Sequence, residues 1–311
     1  MSLLTDRRAA PSAPRAWSVL GEPREAHLGY LLVLPAYLFI VGLTIFPILY
    51  AVYISLHRLS LTLPGMPFVG LANYVSILTA PSFWQAVAVT TYFVVISLLL
   101  QFPLGLAVAL VLNEQVRGRA VLRAAILIPW AIAPVINGLL WQWIYNPRYG
   151  ALNGLLKQLG VLRDDVLWLG EPFRALNMVI LADTWKVLPF YVILFLAVLQ
   201  TVPAELYEAA HIDGAGAWQR FRHVTLPFLR PIILVILVLR TVQTFRVFEI
   251  VYVLTGGGPA GGTTVIAFHV YRETFGNLNF GYGAALSFVM AFLTLTLAGA
   301  YVLTLRSEEL Y

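Results

Sequence analysis

Three features of the sequence predict an all-α integral membrane protein with six spans. Apolar residues make up 60% of the 311-residue chain and charged residues only 11%, with a mean hydropathy of +0.82. Apolar runs fall at about residues 29–56, 84–112, 124–145, 177–200, 231–254 and 283–305. As a helix, each is long enough to cross a hydrocarbon core of about 30 Å. The cations between the runs are unevenly shared. With a cytoplasmic N-terminus, the segments on that side hold 11 Lys and Arg, whereas the longer segments opposite hold six. This is the bias that orients membrane proteins. Six spans then place both termini in the cytoplasm.

The composition also narrows the chemistry. A net charge of +5 comes without a basic stripe interleaved with aromatics outside the spans, so no nucleic acid partner is expected. The chain has no cysteine, which excludes disulfides and thiolate metal sites. HExxH, GxSxG and paired-Asp motifs are absent, so neither a metal nor a catalytic residue is expected. Residues 1–28 are expected to form a cytoplasmic tail, disordered or lying on the surface. They lack a signal-peptide cleavage pattern, and the first apolar run is too long for a signal core. Residues 306–311 form a second short tail around a membrane domain of residues 29–305.

The first span contains Pro35 and Pro47, each expected to bend it. The second contains Pro103 and Gly105 and leads to a basic turn at Arg117 and Arg119. In the third, Pro129 and Pro134 bracket an irregular stretch that also carries Trp130 and Asn137. Irregular backbone at membrane depth is tolerated where it packs in protein or lines a cavity, so Trp130 and Asn137 are path candidates. A kink that serves packing alone is the alternative.

The fourth span carries Asp183, Trp185 and Lys186. Asp183 and Lys186 share a helical face and are expected to pair or to line the path. Trp185 is a stacking surface or an interfacial anchor. In the fifth, Arg240, Gln243, Thr244 and Val247 follow i, i+3, i+4, i+7 and form one face, unsuited to lipid and assigned to the path. Arg246 and Glu249, three apart on a neighbouring stripe, are expected to pair with each other at a subunit or helix interface. The loop that follows satisfies GxGxxG with Gly256, Gly258 and Gly261, but no βαβ unit surrounds it, and Gly262 stands where a phosphate-binding loop needs Lys. The sixth span, with Thr294, Thr296 and Gly299, is assigned to packing.

Between spans four and five lies a polar bracket, Glu205 to Pro231, within loop 201–230. Pro203 suits a first helical turn, and Glu205 and Glu208 lie near the positive end of the helix dipole. The helix is expected to stop at Asp213, with Gly214 in the left-handed conformation. A second short helix, Ala217 to Val224, is expected to end before Pro227 and Pro231 relaunch the pattern.

Glu208-Ala209-Ala210, three residues, Gly214, nine residues, then Val224-Thr225-Leu226-Pro227 resembles the EAA signature of permease subunits of binding-protein-dependent ABC importers. The family usually has Ile at the place of Val224. Phe68 to Tyr74 (FVGLANY) is similar to a segment of its sugar permeases, and Leu254-Thr-Gly-Gly-Gly-Pro259 to a loop of the maltose- and trehalose-type first permease.

The resemblance implies the type I ABC importer permease fold, with the bracket as a cytoplasmic coupling helix docked on an ATPase subunit. Glu205, Glu208, Ala209, Ala210, Asp213, Gly214, Leu226 and Pro227 are its coupling residues. It implies a second permease, two ATP-binding subunits that use ATP and Mg, an extracytoplasmic solute-binding protein and a bacterial or archaeal cytoplasmic membrane. This chain would bind no cofactor. The implied activity is import of a carbohydrate, a disaccharide such as trehalose or maltose or an oligosaccharide, by alternating access. A glycerol phosphate importer and a stand-alone secondary transporter are the alternatives. Carried over by position, the substrate contacts fall at or near Trp130, Pro134, Asp183, Lys186, Val187, Arg240, Thr244 and Val247, several of them differing in type from the maltose members.

Overall fold

The computed structural model describes residues 23–114 and 117–306. In chain order its helices are α1 (Pro23–Ser55), α2 (Ala72–Thr79), α3 (Pro81–Asn113), α4 (Arg119–Ile126), α5 (Ile128–Ala131), α6 (Pro134–Ile144), α7 (Ala151–Gln158), α8 (Pro172–Leu199), α9 (Ala204–Ile212), α10 (Ala217–Arg220), α11 (Leu226–Phe245), α12 (Glu249–Leu254), α13 (Ile266–Tyr271) and α14 (Phe280–Arg306). π-helical turns occupy Phe221–Thr225 and Arg272–Gly276. The described residues contain no strand, only the isolated bridges His57–Phe68 and Ser60–Asn279. Among the described residues, five helices are long and apolar enough to cross a membrane; α4–α5 and α6 add a sixth span if the two arms, bent by 96°, are taken together. The all-α membrane fold expected from the sequence is therefore the fold observed.

The chain divides into two compact units, residues 1–51 and 52–311. In the first, α1 begins at Pro23 and runs through Pro35 and Pro47. Nearly all its large apolar side chains from Tyr30 to Tyr50 are exposed, a surface suited to lipid. Part of the expected N-terminal tail is therefore helical; its residues 1–22, and 307–311 of the C-terminal tail, lie outside the described residues.

The second unit is built on α3 and α8. One apolar cluster joins Ala109 and Leu112 of α3, Val187 to Leu199 of α8, and Leu229 and Ile236 of α11. Another joins Phe93 of α3, Leu176 to Ala182 of α8, Ile250 to Leu254 of α12, and Phe268 of α13. The segments between the clusters, around Gln101, Asp183 and Arg240, are polar. Small residues let the spans approach closely, as membrane helices require: a Cβ on Gly105 would stand 2.4 Å from Cβ of Tyr191, and one on Gly138 2.8 Å from Val253.

Several boundaries differ from the sequence reading. Spans two and four start at Pro81 and Pro172, earlier than the apolar runs, because proline fits the first turn where no N–H is needed. The second bracket helix does not stop before Pro227. It continues as one helix from Ala217 to Phe245. In the π-turn, Leu226 N–H bonds to Phe221 O, a wider turn that carries the helix past the proline. Span five ends at Phe245, not 254, because Arg246 and Phe248 leave helical backbone angles before α12 begins. The connecting segments contain α2, α7 and α13, which their mixed composition concealed. Asn73 of α2 donates to Ser55 O at 2.8 Å and His57 O at 2.9 Å, which anchors the FVGLANY segment to the end of the first span.

Candidate functional site

Spans two, four and five meet in a buried polar cluster. The Arg240 guanidinium donates from Nη1 to Gln243 Oε1 at 3.0 Å and from Nη2 to Gln101 Oε1 at 3.2 Å. Its Nη2 lies 3.6 Å from Asp183 Oδ2, and its Cζ sits 5.8 Å from the centre of the Tyr191 ring. Gln101 Nε2 donates to Asp183 Oδ2 at 3.0 Å and Thr184 Oγ1 at 3.3 Å, while Tyr191 O–H donates to Gln101 Oε1 at 3.1 Å. Asp183 is thus bound to Arg240 on another span, not paired with Lys186 one turn away. The cation on span five is the better-placed partner, because its planar fork reaches the carboxylate and Gln101 together.

Beside this cluster is a cavity of about 260 Å³. The third span forms one wall with Pro134 and Asn137, which the bend between Ala131 and Pro134 turns toward it. The fourth contributes Asp183, Lys186 and Val187, and the fifth Arg240, Gln243 and Thr244; Arg246, Val247, Glu249 and Ile250 follow from the break before α12. Arg246 and Glu249 both face this cavity, and no ion pair joins them, contrary to the expected pairing. The helix break between them replaces the one-turn spacing on which that pairing depended. Three buried polar atoms on residues that line the cavity have no protein partner: Asn137 Oδ1, Arg240 Nε and Thr244 Oγ1. The residues that bear them are 0%, 6% and 2% exposed.

Seven expected path residues, Asn137, Asp183, Lys186, Arg240, Gln243, Thr244 and Val247, therefore surround one cavity. Trp130 and Trp185 do not line it. Trp130, on the arm before the bend, is 52% exposed, and Trp185 packs edge-on against Trp141 at 5.8 Å. Gln101 and Tyr191 escaped the sequence reading. The only signal for Gln101 was a lone amide in an otherwise apolar run.

The bracket is organised as a helical hairpin. Gly214, at φ +75°, follows the Asp213 cap of α9, and Tyr207 O–H meets Thr225 Oγ1 at 3.0 Å to tie α9 to the π-turn. Glu205, Glu208, Ala209, Asp213 and Pro227 are exposed, and Ala210 and Leu226 are half-buried. Ile212 is 85% exposed and Trp218 69%, with Trp218 stacked on Phe221 at 5.5 Å.

The family described as binding-protein-dependent transport system inner membrane component matches residues 28–306. The chain belongs to this family. The permease is 46% identical over 282 residues to the trehalose/maltose transport system permease protein MalF of Thermococcus litoralis, an alignment that covers 90% of this chain and 94% of that one. It is 36% identical to the sulfoquinovosyl glycerol transport system permease protein SmoG of Agrobacterium fabrum, covering 98% and 97%. The sn-glycerol-3-phosphate transport system permease protein UgpA of the same organism is 35% identical, covering 87% and 92%.

Among solved structures, a permease chain of a bacterial ABC transporter for import of the acidic polysaccharide alginate superposes with a TM-score of 0.80 at 26% identity, covering 91% of this permease and 96% of that chain. A chain from the alginate transporter in complex with its pentasaccharide-bound periplasmic protein superposes at 0.78 and 25% identity, covering 89% and 93%. The permease is therefore a multi-pass membrane subunit with the fold of an ABC importer permease.

Proposed function

We propose that this permease carries an uncharged carbohydrate, a disaccharide of the trehalose or maltose kind or a short oligosaccharide, into the cytoplasm by alternating access. The observation that carries this reading is the set of orphaned buried atoms on Asn137, Arg240 and Thr244 around one cavity. A buried polar group without a partner costs roughly 1–3 kcal/mol. A ligand rich in hydroxyls, each both donor and acceptor, satisfies all three. Arg240 favours an uncharged ligand: Asp183 balances its charge, and Gln101 and Gln243 occupy its two Nη atoms. With both Nη atoms already engaged, bidentate capture of a phosphate is disfavoured.

In this reading a second permease subunit completes the cavity, an extracytoplasmic binding protein delivers the solute, and two ATP-binding subunits hydrolyse ATP with Mg. The Lys and Arg bias supports a cytoplasmic bracket and cytoplasmic termini, in this reading at the cytoplasmic membrane of a bacterium or archaeon. Glu208 is its polar anchor on the ATPase and Gly214 its turn, with the exposed Ile212 and Trp218 as the apolar part of the contact. Closure of the ATPases moves the bracket and opens the cavity to each side in turn.

An anionic solute is the second reading. It draws on Lys186 and Arg246, two cations that line the same cavity, and on the glycerol phosphate relative. The deciding experiment is ATPase activity of the complex in lipid with its binding protein. Stimulation by a neutral disaccharide is expected; stimulation by glycerol phosphate alone would establish the anionic reading. If the isolated chain carries solute down a gradient with no ATPase attached, the permease is a secondary transporter and the coupling assignment falls.

A further inference from the structure

Gln101 sits in the middle of α3, 0% exposed, and no other amide, acid or base lies within that helix after Gln85 and before its end. An amide side chain has two N–H donors and two carbonyl lone pairs, and here all four are used. Donors go to Asp183 Oδ2 and Thr184 Oγ1, and acceptor sites take Tyr191 O–H and Arg240 Nη2. Only an amide has the polarity for this place, facing an anion with its donor edge and a cation with its acceptor edge. At 3.6 Å the acid and base are also further apart than a direct charged hydrogen bond of about 2.7–2.9 Å. Gln101 bridges them side by side instead of letting them close on each other.

The bridge leaves two atoms over. Asp183 Oδ1 takes part in none of these contacts, and Arg240 Nε has no partner. One is an acceptor and the other a donor, held on neighbouring side chains of one cavity wall. We infer that Gln101 is a specificity-determining positioning residue, which holds Asp183 and Arg240 as an acceptor–donor pair for two adjacent hydroxyls of the solute. The inference rests on the proposed carbohydrate site. Asp183 Oδ1 accepts from one hydroxyl, and Arg240 Nε donates to its neighbour.

The test is uptake by the reconstituted complex with its binding protein, comparing trehalose and maltose with their monodeoxy analogues. The same binding protein serves every variant, so a change in discrimination belongs to the permease. The wild-type complex is expected to reject the analogues that lack either of two adjacent hydroxyls. Q101E, which keeps the shape but cannot donate to Asp183, is expected to narrow that discrimination roughly tenfold, the loss of about one hydrogen bond. The double variant Q101E/D183N moves the carboxylate onto the second span and restores the charge and donor–acceptor balance of the cluster. The amide now at position 183 donates to the carboxylate at position 101 and keeps an acceptor oxygen for the solute, so the double variant is expected to recover thermal stability and discrimination together. Discrimination unchanged in Q101E, or still lost in the double variant once stability has returned, overturns the positioning role and leaves Gln101 a packing residue. If the wild-type complex takes up no neutral sugar, the carbohydrate reading itself is refuted.

Discussion

Asp183 Oδ2 lies 3.6 Å from Arg240 Nη2, with the two side chains only 13% and 7% exposed. Removing one member of a buried pair leaves the other uncompensated, at a cost of about 3–5 kcal/mol, whereas replacing both with apolar residues is often far milder. D183L is therefore expected to lower the melting temperature of the solubilised complex sharply, and D183L/R240M to restore most of it. Equal losses in the single and double variants would show that the pair contributes no coupling.

The second and fourth spans touch at Gly105, where an added Cβ would stand 2.4 Å from Cβ of Tyr191. G105A is expected to destabilise the protein by roughly 1–3 kcal/mol through overpacking. G154A serves as the control, since beyond its chain neighbours and its own helix backbone no atom lies within 4 Å of its added methyl. Thermal unfolding of both variants checks the contrast, which disappears if the spans slide apart freely.

At Gly214 the constraint is conformational, because φ is +75° and the space around the missing Cβ is open. An L-residue in the left-handed region costs roughly 1–2 kcal/mol, and Asn tolerates it best. ATPase stimulation by the solute-loaded binding protein is expected to fall in the order Gly214, G214N, G214A, G214V, with solute preference unchanged. A shift in preference, or full stimulation in G214V, would remove this turn from coupling.

His269 on α13 is expected to give the protein a pH dependence. Burial holds its pKa below the ordinary value, aided by Arg272, while Glu273, 4.0 Å away, works in the opposite direction. The unfolded chain binds the proton more readily, so the stabilising contribution is present above about pH 6.5 and is lost as the pH falls through the lowered folded value. Melting temperature is expected to drop between about pH 7 and pH 5, and H269Q to flatten that slope. An identical slope in H269Q would assign the effect to other groups.

Length and hydropathy made the spans legible, because a bilayer imposes both on any crossing helix. The cavity wall on span five was legible for a similar reason: Arg240, Gln243 and Thr244 share a face whatever the fold. Pairing was not. Helical spacing offers Asp183 only its local neighbour Lys186, and the approach of Arg240 and Gln101 depends on how three helices pack. The end of span five was hidden because Val247 and Phe248 continue the apolar pattern across a break made by backbone angles. Pro227 misled in the opposite direction, since the π-turn before it cannot be read from composition.

The unbroken helix from Ala217 to Phe245 makes a crank of the bracket. Arg220 and Arg240 are separated by roughly 30 Å along one axis, so a tilt of about 5° at one end displaces the other by roughly 2.6 Å. That swing is comparable in size to the 3.0 Å and 3.2 Å hydrogen bonds by which Arg240 holds Gln243 and Gln101. Arg240 and Gln243 ride on the same helix and move together, while Gln101 stays with another. The contact to Gln101 is therefore the one that parts when the shaft tilts, and in the proposed carbohydrate site that parting would loosen the hold on a solute.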